Sequence, residues 1–181
     1  MAPAKKLIEI GKMDSATIIQ YAMIFVLSFL PISEVRGGIP LAFFYFHEDF
    51  GKLALGIVVS VIGNLLVAPF VLYLLKYIDN FIRNYRLVPE KIRRAYIWVM
   101  DYVKRKSKSF EKYEMLGLAI FVAIPLPATG AWTASLIAFL IGMNRKKALI
   151  SIEAGVIGAS AIVAIVCLLG LEILKKLFLI Q

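Results

Sequence analysis

Glu34 and Arg36 stand two residues apart in Pro31-Ile32-Ser33-Glu34-Val35-Arg36-Gly37-Gly38-Ile39-Pro40, between the apolar runs Ala16–Leu30 and Leu41–Phe46. Ionisable side chains at membrane depth are costly and face cavities, partners or substrate pathways. Arginine offers a planar fork of donors matched to phosphate or carboxylate. The amides of Gly37 and Gly38 can form an anion-binding nest or lead a half-helix whose positive end meets the same group. Glu34 can carry a proton in a coupled cycle, with Ser33 beside it. At this spacing Glu34 and Arg36 do not face each other on a regular helix. On broken backbone they converge on one ligand, find separate partners, or form a fixed ion pair that only stabilises a hairpin tip.

A second break follows some ninety residues later, in Pro125-Leu126-Pro127-Ala128-Thr129-Gly130-Ala131-Trp132. Pro31, Pro40, Pro125 and Pro127 read as the residues that interrupt the helices, since proline lacks a donor and fixes its own backbone. Thr129 either binds substrate or caps the arm that follows, with Gly130 beside it, and Trp132 reads as packing. Two further polar residues lie within apolar runs. Asn64 is mid-span on a face of small residues, near Pro69, and Glu153 is a secondary coupling candidate close to the end of its run. His47, Glu48 and Asp49 form a solvated turn.

The elements that must position these residues follow from length and composition. The chain has 181 residues, 61% of them hydrophobic, with a mean hydropathy of +0.83, above the apolar fraction of about 45–50% usual in soluble domains. Leu53–Leu75 and Ala148–Leu171 are each long enough to cross a hydrocarbon core of roughly 30 Å. Met115–Ile124 and Thr133–Met143, at about 15–16 Å each, are not. Basic segments flank both ends of that pair, and the bias of basic residues to the cytoplasmic side favours a hairpin that returns over a single crossing. The first half has the same plan: Ala16–Leu30, break, Ile39–Phe46, polar turn, span. Gly56, Ser60, Gly63 and Asn64 are echoed 95 positions on by Ser151, Gly155, Gly158 and Ala159; small-residue packing alone also accounts for each stripe. The expected fold is an all-α polytopic membrane protein in one domain, with two inverted repeats, each a re-entrant helical hairpin followed by a transmembrane helix. Repeat 1 covers about 15–75, a basic cytoplasmic connector about 76–114, and repeat 2 about 115–175.

The formal charge is +9, and Lys76–Glu114 holds eleven Lys and Arg against five Asp and Glu. Basic charge beside membrane spans points to anionic headgroups, not nucleic acid. Pro89-Glu90 starts a helix in which Ile92, Tyr96, Val99 and Val103 recur opposite Lys91, Arg94, Asp101 and Arg105. It is read as a basic amphipathic helix on the cytoplasmic leaflet, or a connector packed on the protein's own loops. Lys5 and Lys6 precede the first apolar run, but no small-residue cleavage pattern follows Leu30, so Ala16–Leu30 is read as a retained membrane element. The single cysteine, Cys167, cannot make an intrachain disulfide. No metal or cofactor is expected. Neither H-E-x-x-H nor G-x-S-x-G occurs, so a hydrolase would have to rely on Glu34 with Ser33.

The run Leu30–Pro40, taken with Pro125-Leu126-Pro127-Ala128-Thr129-Gly130-Ala131-Trp132-Thr133-Ala134, resembles the prokaryotic small multidrug export protein family over nearly the whole chain. That family is similar in turn to the DedA/VTT superfamily of paired re-entrant hairpins, implicated in moving polyprenyl-phosphates and phospholipids. By position the functional acids and arginines of that group correspond to Glu34 and Arg36, although Pro125–Trp132 lacks the arginine usual there. The resemblance implies a multi-pass plasma-membrane transporter that contacts membrane lipids and moves an anionic amphiphile with proton or cation coupling. A cation exporter with Glu34 as exchangeable counter-charge, a membrane scaffold and a lipid hydrolase are the alternatives. The small-residue stripes leave a homodimer open.

Overall fold

In the computed structural model, residues 14–84, 88–107 and 113–179 are described, apart from the side chains of 104, 106, 107 and 174–179. Lys5, Lys6 and the last two residues lie outside these ranges. The described residues are helical, with no strand among them: α1 (Ser15–Phe29), α2 (Glu34–Phe46), α3 (Phe50–Leu65), α4 (Val67–Asn84), α5 (Glu90–Ser107), α6 (Glu114–Ala123), α7 (Ala131–Ile141) and α8 (Arg145–Leu179).

Local chemistry sets the boundaries. The residue before a proline is pushed out of the helical region. Accordingly α1 ends at Leu30, ψ 142°, before Pro31, and α6 ends at Ile124, ψ 115°, before Pro125. The Asp49 carboxylate accepts the Lys52 N–H at 3.0 Å and caps α3, while Asn144 Oδ1 accepts the Lys146 N–H at 3.0 Å where α8 begins. Gly142, at φ 75°, ends α7 in the left-handed conformation that glycine adopts freely. Pro69 removes the donor for the Leu65 carbonyl, and α3 stops there, giving way to α4 after Leu66.

Pro40 corrects one expectation: it does not mark a break but lies inside α2, which starts six residues earlier, at Glu34. The first interruption is therefore confined to Leu30–Ser33, and Gly37 and Gly38 are helical.

The second arms, α2 and α7, are the most enclosed elements. Val35, Ile39, Ala42, Ala131, Ala134 and Ala138 are fully buried among them. α2 packs against α1, α3 and α8; α7 packs against α4, α5 and α8; α6 lies along α8. Large apolar side chains also point outward, including Val58 and Ile62 on α3 and Ile157, Ile165 and Val166 on α8. Helices apolar on every face belong in a bilayer or a large core. Two stretches, Phe50–Asn84 and Arg145–Ile173, are long and apolar enough to cross a membrane.

Residues 50–84, spanned by α3 and α4, become 145–179 when shifted by 95 positions, which are the bounds of α8. The packing follows the same offset: a Cβ on Gly63 would lie 3.2 Å from Ser28 Cβ, and one on Gly158 would lie 3.2 Å from Ala123 Cβ. Ser28 and Ala123 are themselves 95 residues apart.

Candidate functional site

The two breaks meet. Arg36, in the first turn of α2, sends one guanidinium nitrogen to the Leu126 carbonyl. The other, Nη2, donates to the Thr129 carbonyl at 2.8 Å and to Thr129 Oγ1 at 3.2 Å. The second break has no arginine of its own, and Arg36 supplies one from the first.

Glu34 makes the complementary reach. Its carboxylate, 5% exposed, lies at the N-terminus of α7, where Oε1 accepts the Trp132 N–H at 3.4 Å. The Ala131 N–H and the Asn64 side-chain amide also face it. A helix N-terminus carries unpaired donors and a positive partial charge, so an acidic group is held there by charge and hydrogen bonding together. Glu34 thus caps a helix that begins about a hundred residues further along the chain. Room for it exists because residue 130 is glycine: a Cβ there would overlap both carboxylate oxygens and the carboxyl carbon. Glu34 adopts φ 50° and Ala128 φ 67°, one left-handed non-glycine residue directly after the first break and one within the second. Such conformations persist where surrounding contacts enforce them.

The connection is returned from the other side. Trp132 Nε1 donates to the Phe29 carbonyl at 2.8 Å, and its ring packs with Phe29 and Phe70, centroids 6.0 and 6.1 Å away. Trp132 is packing, as its type and position imply, but its indole also seals the C-terminus of α1.

Beneath the carboxylate runs a buried polar column. Ser28 and Ser60 are hydrogen-bonded at 2.8 Å, both fully buried, and Asn64 lies one turn beyond Ser60. Gly38 is required where this column crosses α2, since a Cβ on it would overlap Ser28 Oγ and lie 2.5 Å from Ser60 Oγ. Two buried atoms of the site have no partner: Arg36 Nε, a donor, and Asn64 Oδ1, an acceptor. Buried polar atoms are nearly always paired, which sets these two apart.

Of the residues expected to act, Glu34, Arg36, Asn64, Thr129 and Gly130 come together. Glu34 and Arg36 find separate partners and form no ion pair with each other, which answers the question their spacing leaves open. The glycine nest does not form: Gly37 and Gly38 are helical, and the Gly37 N–H already donates to the Ser33 carbonyl at 3.1 Å. Ser33 bonds back to the Leu27 carbonyl and so ties the turn to α1. Thr129 does not cap α7; its hydroxyl knits the tip, donating to the Ile124 or Leu126 carbonyl and accepting the Leu126 N–H at 3.2 Å. No hydrogen bond or ion pair joins Glu153, in the third turn of α8, to the cluster. Ser28 escapes sequence reading because a serine in an apolar run gives no sign of its partner. No group of three or more metal-ligating side chains occurs among the described residues.

Two apolar stretches long enough to cross a membrane, with a buried acid and a half-buried base where two helix breaks meet, point to a membrane protein. Residues 34–162, well over half the chain, match the family described as "Putative small multi-drug export protein", and the chain belongs to that family. The matched region opens on Glu34, immediately after the first break, and takes in the second. No curated protein and no solved structure matches the chain.

Proposed function

We propose that this protein is a multi-pass transporter of the prokaryotic plasma membrane that moves an anionic amphiphile, of the lipid-phosphate or phospholipid kind, in exchange for protons. The observation that carries this reading is the burial of a carboxylate supplied by the chain itself, Glu34, at the α7 N-terminus, beside the tip that Arg36 fastens through the Leu126 and Thr129 carbonyls. The α7 N–H groups that hold Glu34 suit a phosphate equally. Glu34 is then a resident anion keeping the substrate's place. Protonation weakens its hold on the α7 N-terminus and offers a hydroxyl to Asn64 Oδ1, which otherwise has no donor. The vacated N–H groups and Arg36 Nε are left for the headgroup. An apolar groove of about 570 Å³, lined by Ile19, Met23, Val26, Leu27, Leu30 and Leu41, adjoins the first break and suits an acyl or prenyl tail.

In this reading the chain is two inverted repeats. The 95-residue offset of elements and packing supports it. So does length: the 10 and 11 residues of α6 and α7 reach only about 15–17 Å, which suits a hairpin that enters and returns. Paired interrupted helices in corresponding halves mark the binding site of many secondary transporters. No hydrolytic step is assigned, and membrane lipid is the partner.

A second reading, export of lipophilic cations, draws on the family's description and on the absence, among the described residues, of a cationic side chain within ion-pair distance of Glu34. The donors around the carboxylate oppose it, because a cation would sit against positive helix and guanidinium charge.

The test is reconstitution in liposomes with a fluorescent polyprenyl-phosphate or phospholipid probe. The fraction accessible to an external quencher is followed for wild type and Glu34→Gln, with and without a pH gradient. Gradient-dependent movement that is lost in Glu34→Gln is expected. A wild type that moves neither probe, yet is protected from thermal unfolding by a lipophilic cation and not by lipid phosphate, would transfer the assignment to drug export.

A further inference from the structure

The amphipathic helix α5 divides its apolar residues between two surfaces. Tyr96 and Met100 turn inward: Met100 is fully buried, and the Tyr96 hydroxyl donates to Asp79 Oδ1 at 2.9 Å. Asp79 is held in turn by Arg83 Nε at 2.8 Å, and the Arg83 guanidinium lies 6.0 Å from the Tyr96 ring centre. This latch fastens α5 to the end of α4 and fixes its rotation about its own axis. The rotation leaves a second apolar sector facing outward. Ile92, Trp98, Val99 and Tyr102 are between 44 and 65% exposed, with the Trp98 and Tyr102 rings stacked at 5.8 Å. At 100° per residue, Arg94 and Arg105 fall along the edge of this sector nearest Trp98, Lys91 lies between Trp98 and Tyr102, and Asp101 and Glu90 follow just beyond the edge.

We propose that this outward sector is an interfacial anchor that lies on an anionic lipid leaflet. Three observations favour a membrane over a protein as its occupant. The sector pairs stacked aromatic rings with a basic edge, the composition of a helix seated at headgroup depth. Its charge complements anionic lipid: α5 carries six Lys and Arg against Glu90 and Asp101, and the side chain of Arg94, although paired with Glu90 at 2.9 Å, is 79% exposed. Finally, α5 follows within a few residues of α4, whose stretch Phe50–Asn84 is a candidate membrane crossing, and is tied to it by Asp79. The helix is therefore delivered to the membrane surface already oriented. The anchor is independent of the transport reading and would hold for any cargo.

The test uses the full-length protein reconstituted in vesicles of phosphatidylcholine alone or mixed with phosphatidylglycerol, with lipid brominated near the headgroup as quencher. Trp98→Phe leaves Trp132 in place, so the wild-type signal minus that of Trp98→Phe reports residue 98. The expected result is a blue-shifted, strongly quenched Trp98 in the anionic vesicles. Both the shift and the quenching should fall in phosphatidylcholine alone and in the triple variant Lys91→Glu, Arg94→Glu, Arg105→Glu. Far-ultraviolet circular dichroism of the triple variant confirms that α5 has stayed folded. A Trp98 that emits as in water and escapes quenching in both vesicles overturns the proposal and leaves a soluble partner as the occupant. Quenching that is equal in both lipids and indifferent to the triple variant overturns its anionic specificity.

Discussion

Gly130 has no side chain because the carboxylate of Glu34 occupies the space a Cβ would take. Two residues nearly a hundred positions apart thus share one site, each meaningful only with the other. Gly130→Ala should displace the carboxylate from the α7 N-terminus and cost about 1–3 kcal/mol as an overpacked site. In a Glu34→Ala background the same change should cost far less, a non-additivity measurable by thermal unfolding in detergent. Additive effects of the two substitutions would mean that the carboxylate does not sit there.

Arg36 binds three oxygens of the second break with one fork. Lysine is a point charge and cannot reproduce that geometry. Arg36→Lys should therefore abolish the proposed transport, and Arg36→Ala should cost roughly 1.5–3 kcal/mol of stability, the scale of a charged hydrogen bond. Arg83→Ala, which breaks a partly exposed pair with Asp79, should cost about 1 kcal/mol or less. Equal melting temperatures for the Arg36→Ala and Arg83→Ala variants would contradict this ranking.

The latch on α5 has a pH signature. Burial, reinforced by the hydrogen bond to Asp79 and by that residue's negative charge, pushes the Tyr96 phenol from 10.0 up to about 12. A raised value means the neutral form is favoured in the folded protein. The stabilisation is therefore complete below about pH 10 and is lost as pH rises from there toward 12. The phenolate absorbance of wild type minus that of Tyr96→Phe should titrate close to pH 12. A difference curve centred at the ordinary tyrosine value would show that the hydroxyl is free.

Helical glycines should separate into two groups. A Cβ on Gly63 would come within 2.9 Å of the Phe25 carbonyl oxygen and one on Gly155 within 2.5 Å of Val122 Cβ, whereas Gly117 and Gly170 have nothing within 4 Å. Alanine at 63 or 155 should destabilise by about 1–3 kcal/mol through overpacking. At 117 or 170 it should be neutral or stabilise by up to about 1 kcal/mol through its better helix propensity. Thermal midpoints of the four single variants decide this, and a loss at Gly117 would contradict it.

Much of the architecture was legible because membrane sequences punctuate strongly. Pro31 and Pro125 each end a helix at the preceding residue, and the expected arm Ala16–Leu30 differs from the observed Ser15–Phe29 by one residue at each end. Pro40 misled because proline marks a break only where the helix lacks other support; enclosed by α1, α3 and α8, α2 continues through it. Glu34, Arg36 and Asn64 stood out as polar groups in apolar surroundings. Their partners did not, since those are mostly backbone atoms: the carbonyls of Leu126 and Thr129 and the N–H groups of Ala131 and Trp132. Every residue type carries such atoms, so no side-chain pattern announces them. Ser28 and Asp79 went unnoticed for a related reason, each being unremarkable until folding brings Ser60 or Tyr96 against it.

The two membrane-length stretches, although matched in extent, differ mechanically. Residues 50–84 are jointed at Leu66, where Pro69 leaves a carbonyl without its donor, whereas residues 145–179 run as one uninterrupted helix. A rod and a jointed arm respond differently to load: the rod passes a push along its length, and the arm yields at its elbow. Asn64 lies two residues before that elbow and Phe70, which packs against Trp132, four residues after it. Any bending at Leu66 would therefore pull on both sides of the buried Glu34 carboxylate at once, with α8 as the fixed spine against which that bending is measured.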